Sequence, residues 1–270
     1  MNVNLRSLKK ELIAVEGFVK RQMTLSKRYF GWEIVFLFYT MVHTMTIALI
    51  GAATGRKEQI LFLVIGAVLW GFLSVIFEDI AETIAWERWE GTIEYTFMAP
   101  IRRFTHMFAV CASAIVYGTM RTVLVMIMVA VFFDLDLGRA NLFSASIVLI
   151  ASSLSFMGLG IMAAVLPILS PEKGPQATHI FQALILLVSG VYYDVSVLPS
   201  FLQTLSVFSP ATYTLRSMRS AILQGEPCAN MMGNLLILIM TGVLLIPLGL
   251  YIFSLAERYA MRVGLLKRQG

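Results

Sequence analysis

Charge is scarce in this chain. Only 14% of its 270 residues are Asp, Glu, Lys or Arg and 58% are hydrophobic, whereas soluble domains carry about 25% charged and about 45–50% apolar residues. That deficit excludes an ordinary soluble globule and points to a polytopic membrane protein. The apolar stretches run unbroken for about 20 residues instead of alternating, which excludes a transmembrane β-barrel and predicts an all-α fold. Cysteine is nearly absent. Cys111 and Cys228 lie far apart and belong to no metal-spaced cluster. Cys111 falls in an apolar span, where it reads as a small packing residue. The chain has no Gly-x-x-x-x-Gly-Lys-Ser/Thr loop to cradle a phosphate. It has no His-Glu-x-x-His or Cys-His set for a metal, and no Ser-His-Asp order for nucleophilic attack. No catalytic residue, metal ligand or cofactor is therefore assigned to it, and any ATP used is hydrolysed on another chain. The net charge of +5 reads as cytoplasmic Lys and Arg, not as nucleic-acid binding.

What is present is a series of spans. Six are expected, at about 34–53, 59–80, 106–133, 142–169, 176–194 and 234–256, together a transmembrane domain over 34–256. Each is long enough to cross a hydrocarbon layer of about 30 Å. Residues 1–33 read as an amphipathic helix, with Leu5, Leu8, Leu12, Val15 and Val19 at helical spacing and Lys9, Lys10, Lys20 and Arg21 between them. A basic amphipathic helix lies on a membrane surface. Its first 30 residues lack the apolar core of a cleavable signal, so the first span is expected to direct insertion. Fifteen of the 21 Lys and Arg fall on one side of the spans and five on the other, with Arg121 inside a span. The bias places both termini, and a basic tail at 257–270, in the cytoplasm. Residues 195–233 break the pattern. They carry Pro199, Pro210, Gly225 and Pro227, yet Leu198, Phe201, Leu202, Leu205, Val207 and Phe208 are too apolar for a solvated loop. A re-entrant outer segment before the last span fits them, provided its backbone is buried in protein or lines a cavity.

The cytoplasmic segment 82–105 is the most informative. Where a bland loop would serve, it reads Trp86-Glu87-Arg88-Trp89-Glu90-Gly91-Thr92-Ile93-Glu94, then Ala99-Pro100-Ile101-Arg102-Arg103. That is a docking element for a soluble partner at a membrane face. Glu87, Glu90 and Glu94 can meet donors on a partner, and Glu90 and Glu94 share a face if the helix is continuous. Gly91 permits close approach or a helix break. Thr92 can cap a following helix, with Ile93 and Tyr95 packing inward. Trp86 and Trp89 suit the membrane–water boundary.

Three features together resemble the ABC-2 type permeases, the membrane subunits of bacterial exporters for drugs, lipids and polysaccharides. They are the six spans with cytoplasmic termini, the Glu90-Gly91-Thr92-Ile93-Glu94…Ala99-Pro100 run, and an outer sequence near the fifth span. That sequence reads Ser189-Gly190-Val191-Tyr192-Tyr193, Leu198-Pro199, Ser209-Pro210-Ala211-Thr212-Tyr213 and Arg219. The resemblance covers nearly the whole chain. It implies a permease in the bacterial cytoplasmic membrane that pairs with a second permease subunit, as homodimer or heterodimer. It also implies binding to ABC ATPase subunits, which carry the ATP and Mg. Glu87, Glu90, Gly91, Thr92, Glu94 and Pro100 are then the partner-coupling residues. The sequence departs at Asp194, where the family often has an uncharged residue, and at Ala99, where a small hydroxyl residue is common.

A central Arg is costly in a membrane, at about 2.5–3.5 kcal/mol on insertion scales, and must face protein, water or an acid. Arg121 is thus a candidate for the translocation path or for a structural ion pair, with Tyr192 and Tyr193 as further path candidates. Small residues from Ala151 to Ala164 permit close helix packing. Two other functions compete. A lipid-modifying membrane enzyme needs paired carboxylates, and Asp134 with Asp136 offers them, although the following Gly138 suggests a turn. An ion-gradient-driven carrier wants internal repeats or broken helices, and no clear repeat is present.

Overall fold

The computed structural model describes residues 5–265 apart from Pro171, with side chains from Lys9 onward. The apolar positions Leu5 and Leu8, and Lys267 and Arg268 of the basic tail, lie outside the described side chains. The described residues form helices joined by turns, with no strand among them. In chain order the helices are α1 Leu5–Arg28, α2 Phe30–Ala53, α3 Lys57–Trp89, α4 Ile93–Met98, α5 Arg103–Phe132, α6 Leu142–Ala163 and α7 Val165–Leu169. Then follow α8 Gly174–Ser189, α9 Ser200–Ser206, α10 Pro210–Arg219 and α11 Met232–Val263.

The long helices run back and forth, so the chain has two ends. The break after Trp89, with α4, and the end of α7 at Leu169 lie at the end that also holds α1. The turns at 54–56 and 133–141 and the whole stretch 190–231 lie at the other, distal end. Asn141 N–H donating to Ala221 O at 2.9 Å joins two of these distal segments.

Five helical stretches are long and apolar enough to cross a membrane: Phe30–Ala53, Lys57–Trp89, Arg103–Phe132, Leu142–Leu169 and Cys228–Val263. The expected span at 176–194 differs. α8 has only 16 residues, about 24 Å of helix, because Gly190 takes a left-handed conformation (φ 70°) and ends it at Ser189. α3 differs the other way. Its 33 residues make about 50 Å of helix, well beyond a hydrocarbon layer of about 30 Å. That is about 20 Å, or about three to four turns, more than such a layer spans.

α3 is the central helix. Val64, Leu73, Ile76, Ile80 and Ile84 are fully buried among α2, α5, α6 and α8. α2 and α11, by contrast, turn Phe36, Phe38, Tyr39, Leu236, Met240 and Leu244 outward, as helices in an apolar solvent can. Without a hydrophobic force between helices in lipid, small residues must let them approach. α6 and α11 run parallel and do this. A side chain at Gly158 would place its Cβ 2.5 Å from Leu245 Cβ, and Ser155 Oγ donates to Leu238 O at 2.6 Å. The close packing expected from the small residues of the fourth span is therefore present. Gly158→Ala should destabilise the protein by about 1–3 kcal/mol through overpacking, read as a lower thermal midpoint in detergent. An unchanged midpoint would mean that α11 is free to shift away.

The stretch 190–231 is folded, not looped. Pro210 starts α10 at its first turn, where a missing N–H is harmless. Pro210, Ala211, Thr214, Leu215 and Met218 are buried against α6, α11, α3 and α8. α9 instead exposes Phe201 and Leu205, and Val207 and Phe208 follow it outward.

Candidate functional site

The segment 82–105 begins inside α3, which stays helical to Trp89. Glu90 is its last αR residue and Gly91 then turns left-handed (φ 74°), a conformation that favours glycine. The helix breaks there, so Glu90 and Glu94 do not share one continuous helical face. α4 follows at Ile93. Thr92 does not cap it; its hydroxyl donates back to Glu87 O at 3.2 Å. Ile93 is fully buried, as expected, but Tyr95 is 74% exposed because it lies on the opposite side of this short helix. Glu90, Glu94, Tyr95, Met98 and Pro100 together form an outward surface. Trp86 and Trp89 stand exposed beside it, packed edge to face at 5.3 Å.

Beneath this surface the segment is anchored at three places. Glu87 points inward and is 3% exposed, unlike the partner-facing carboxylate expected from the sequence. The Arg21 guanidinium of α1 donates to it. His106 Nε2 of α5 lies 3.3 Å from one carboxylate oxygen and 3.2 Å from the other. Phe18 packs against the His106 ring at 4.9 Å, and the Thr105 hydroxyl donates to Glu11. Glu11, Phe18 and Arg21 lie on one side of α1, which is thereby fastened to α3 and α5.

Arg88 is the second anchor. It is 3% exposed and donates to Ile168 O at 2.7 Å, to Pro167 O at 3.2 Å and to Leu265 O. These carbonyls belong to α7 and to the turn that ends α11. Free carbonyls at helix C-termini carry partial negative charge, so a buried cation is compensated here without a carboxylate. The third anchor is Arg103. Its Nε donates to Glu257 of α11 at 2.7 Å, its Nη2 donates to Phe97 O of α4 at 2.7 Å, and it lies over the Phe97 ring at 4.5 Å. Through Glu87, Arg88 and Arg103 the segment is bonded to α1, α5, α7 and α11.

The candidate path residues are placed differently. Arg121 donates to Phe36 O at 2.7 Å and to the Thr40 hydroxyl, both on α2. One turn away, the Tyr117 hydroxyl donates to Glu33 of the same helix. Arg121 thus ties α5 to α2. Tyr193 donates to Leu187 O, folding back on the end of α8, and Tyr192 packs half-buried against the core at the distal end. No hydrogen bond joins Arg121 to either tyrosine among the described residues. Asp136, one of the paired carboxylates, accepts from Gly138 N–H at 2.9 Å, which is turn geometry.

The sequence reading did not single out His106, Arg88, Arg103 or Glu257 as site residues. A signal existed for Arg88, a charge flanked by Glu87 and Trp89 at the base of the segment. None existed for Glu257, whose partner Arg103 is 154 positions away.

A family model for the ABC-2 type transporters matches residues 17–223, more than half of the chain. No curated protein matches it.

Proposed function

The chain belongs to the ABC-2 type transporter family, and we propose that it is the membrane-spanning permease subunit of an ATP-driven exporter. It works beside a second permease subunit and with separate ATPase subunits that hold ATP and Mg. Its cargo is a hydrophobic or amphipathic compound, of the drug, lipid or glycan kind. The protein sits in a bacterial cytoplasmic membrane with both termini inside. α1 lies along the membrane surface and places Leu12, Ile13, Met23 and Leu25 outward. α8 completes a sixth crossing at a thinned or tilted site, which short helices adopt at modest cost. The buried α10 and the apolar outer side of α9 support a re-entrant reading of 195–233.

The observation that carries the reading is the contrast within 82–105. Glu90, Glu94, Tyr95 and Pro100 are exposed on the short α4 unit. Glu87, Arg88 and Arg103 beneath them are bonded to four other helices. Such a unit transmits a push from a soluble subunit into the bundle. Charge pairs on an interface rim guide docking and register.

Co-purification of the chain from its native membrane with an ATP-hydrolysing subunit, followed by ATP hydrolysis and transport assays, tests this. The charge reversal of Glu90→Arg with Glu94→Arg should lower coupled transport at least about tenfold, with membrane insertion and thermal midpoint unchanged. Unchanged transport, or a chain that never captures an ATP-hydrolysing subunit, would overturn the proposal.

A further inference from the structure

α1 is docked by one side only. Glu11, Phe18 and Arg21 on that side meet Thr105, His106 and Glu87. Glu11 and Phe18 are about 10 Å apart along α1, yet they meet neighbouring residues of α5. α1 therefore crosses the start of α5 instead of running beside it. At its other end it passes into α2 through the single residue Tyr29, and Tyr29, Phe30 and Trp32 are exposed there. Exposed aromatic side chains at the start of a span mark the membrane–water boundary.

The opposite side of α1 carries a continuous stripe. Lys9, Leu12, Glu16, Lys20, Met23 and Lys27 follow one another at intervals of three or four residues, so they share one face, and each of them is exposed. Leu12 is 62% exposed and Met23 50%. The carboxylate of the stripe, Glu16, is paired with Lys20 at 2.8 Å. Lys9 and Lys27, and Lys10 and Arg28 on the flank of the stripe, lie within ion-pair distance of no carboxylate among the described residues. The face is thus cationic, apolar in part, and uncovered by the described chain.

A partner for this face must be negative and must also accept Leu12 and Met23. Water fails the second demand, and so does a nucleic-acid backbone. We propose that this face of α1 recognises anionic phospholipid at the cytoplasmic surface, with Leu12 and Met23 at the acyl boundary and Lys9 and Lys27 extended to phosphates. Lysine stems cover apolar surface while the ammonium reaches polar groups. Each Lys or Arg beside an anionic membrane adds about fivefold in affinity. The lipid is then held one helix diameter, about 10 Å, from Glu87 at the base of the 82–105 segment. Lipid selection by α1 rests on its placement at the membrane surface given above, and not on ATP coupling.

Hydrogen exchange of the intact chain in lipid nanodiscs tests this. One disc holds phosphatidylcholine alone and the other about one-third phosphatidylglycerol. Amides of residues 9–28 should exchange about tenfold more slowly in the anionic disc, while α10 at the distal end exchanges alike in both. Lys9→Gln with Lys27→Gln should cut the difference to about threefold or less, and Lys9→Arg with Lys27→Arg should keep it. Raising the salt from about 0.1 M to about 1 M shortens the screening length from about 10 Å to about 3 Å and should erase it. Equally slow exchange in both discs would leave α1 on the membrane through its apolar side chains alone and overturn the anionic partner. Equally fast exchange in both would take α1 off the surface and overturn its placement as well. A Gln variant that keeps the full difference would overturn this face as the site of recognition.

Discussion

Arg88→Met should lower the stability of the protein by about 3 kcal/mol or more and separate ATP hydrolysis from transport. The reason is arithmetic on buried carbonyls. The guanidinium serves Pro167 O, Ile168 O and Leu265 O, and each buried acceptor left without a donor costs about 1–3 kcal/mol. Methionine fills much of the volume but donates nothing. In a chain of this length the loss corresponds to a fall of roughly 6–12 °C in the thermal midpoint. Arg88→Lys keeps the charge, but a single ammonium cannot match a planar fork aimed at three carbonyls, so an intermediate midpoint is expected. The α4 surface does not include Arg88. ATPase capture should therefore survive while stimulated transport falls, which separates a transmission defect from a docking defect. A thermal midpoint for Arg88→Met equal to that of the native chain would show that these carbonyls find water, and that Arg88 is not an anchor.

The parts legible in the sequence and the parts that were not differ in a physical way. Long apolar runs place spans at 34–53, 59–80, 106–133, 142–169 and 234–256, because crossing a hydrocarbon layer is a local demand on composition. The same rule overestimates the fifth span. The apolar character of Val191, Tyr192 and Tyr193 continues past Ser189, but the backbone turns at Gly190 and only a conformation, not a hydropathy, marks that. The segment 82–105 stands out by its charge and its tryptophans, yet its two kinds of glutamate look alike in a sequence. Glu90 is exposed and Glu87 is buried because α3 persists to Trp89 and turns Glu87 toward α1. The two partners of Glu87, His106 and Arg21, are 19 and 66 positions away, beyond any local pattern. Arg121 shows a limit of another kind. Its cost in a membrane required a partner, but whether the partner was a ligand or a neighbouring helix depended on α2 lying alongside with Phe36 O and Thr40 within reach.

Glu87→Gln should release α1. The carboxylate is the shared acceptor for Arg21 and for His106, and removing one member of a buried charge pair costs about 3–5 kcal/mol. Arg21 is 38% exposed and can turn to water, which places the expected loss near about 3 kcal/mol. The effect should be local. Amide exchange should quicken across residues 11–26 of α1, while the middle of α5 keeps its protection. Arg21→Met removes the cation from the same contact, so the double variant should cost less than the sum of the two single ones, a coupling of about 1 kcal/mol or more. Additive losses, or unchanged exchange in α1, would mean that Phe18 and the apolar contacts hold α1 without the carboxylate. If α1 is released, transport should fall even though Glu90, Glu94 and Tyr95 are untouched. The surface proposed to meet an ATPase would be unchanged, but one of the helices bonded to its base would no longer follow it. That would separate two roles within one run of glutamates: Glu90 and Glu94 as the proposed contacts for a partner, Glu87 as the fastening that joins α1, α3 and α5.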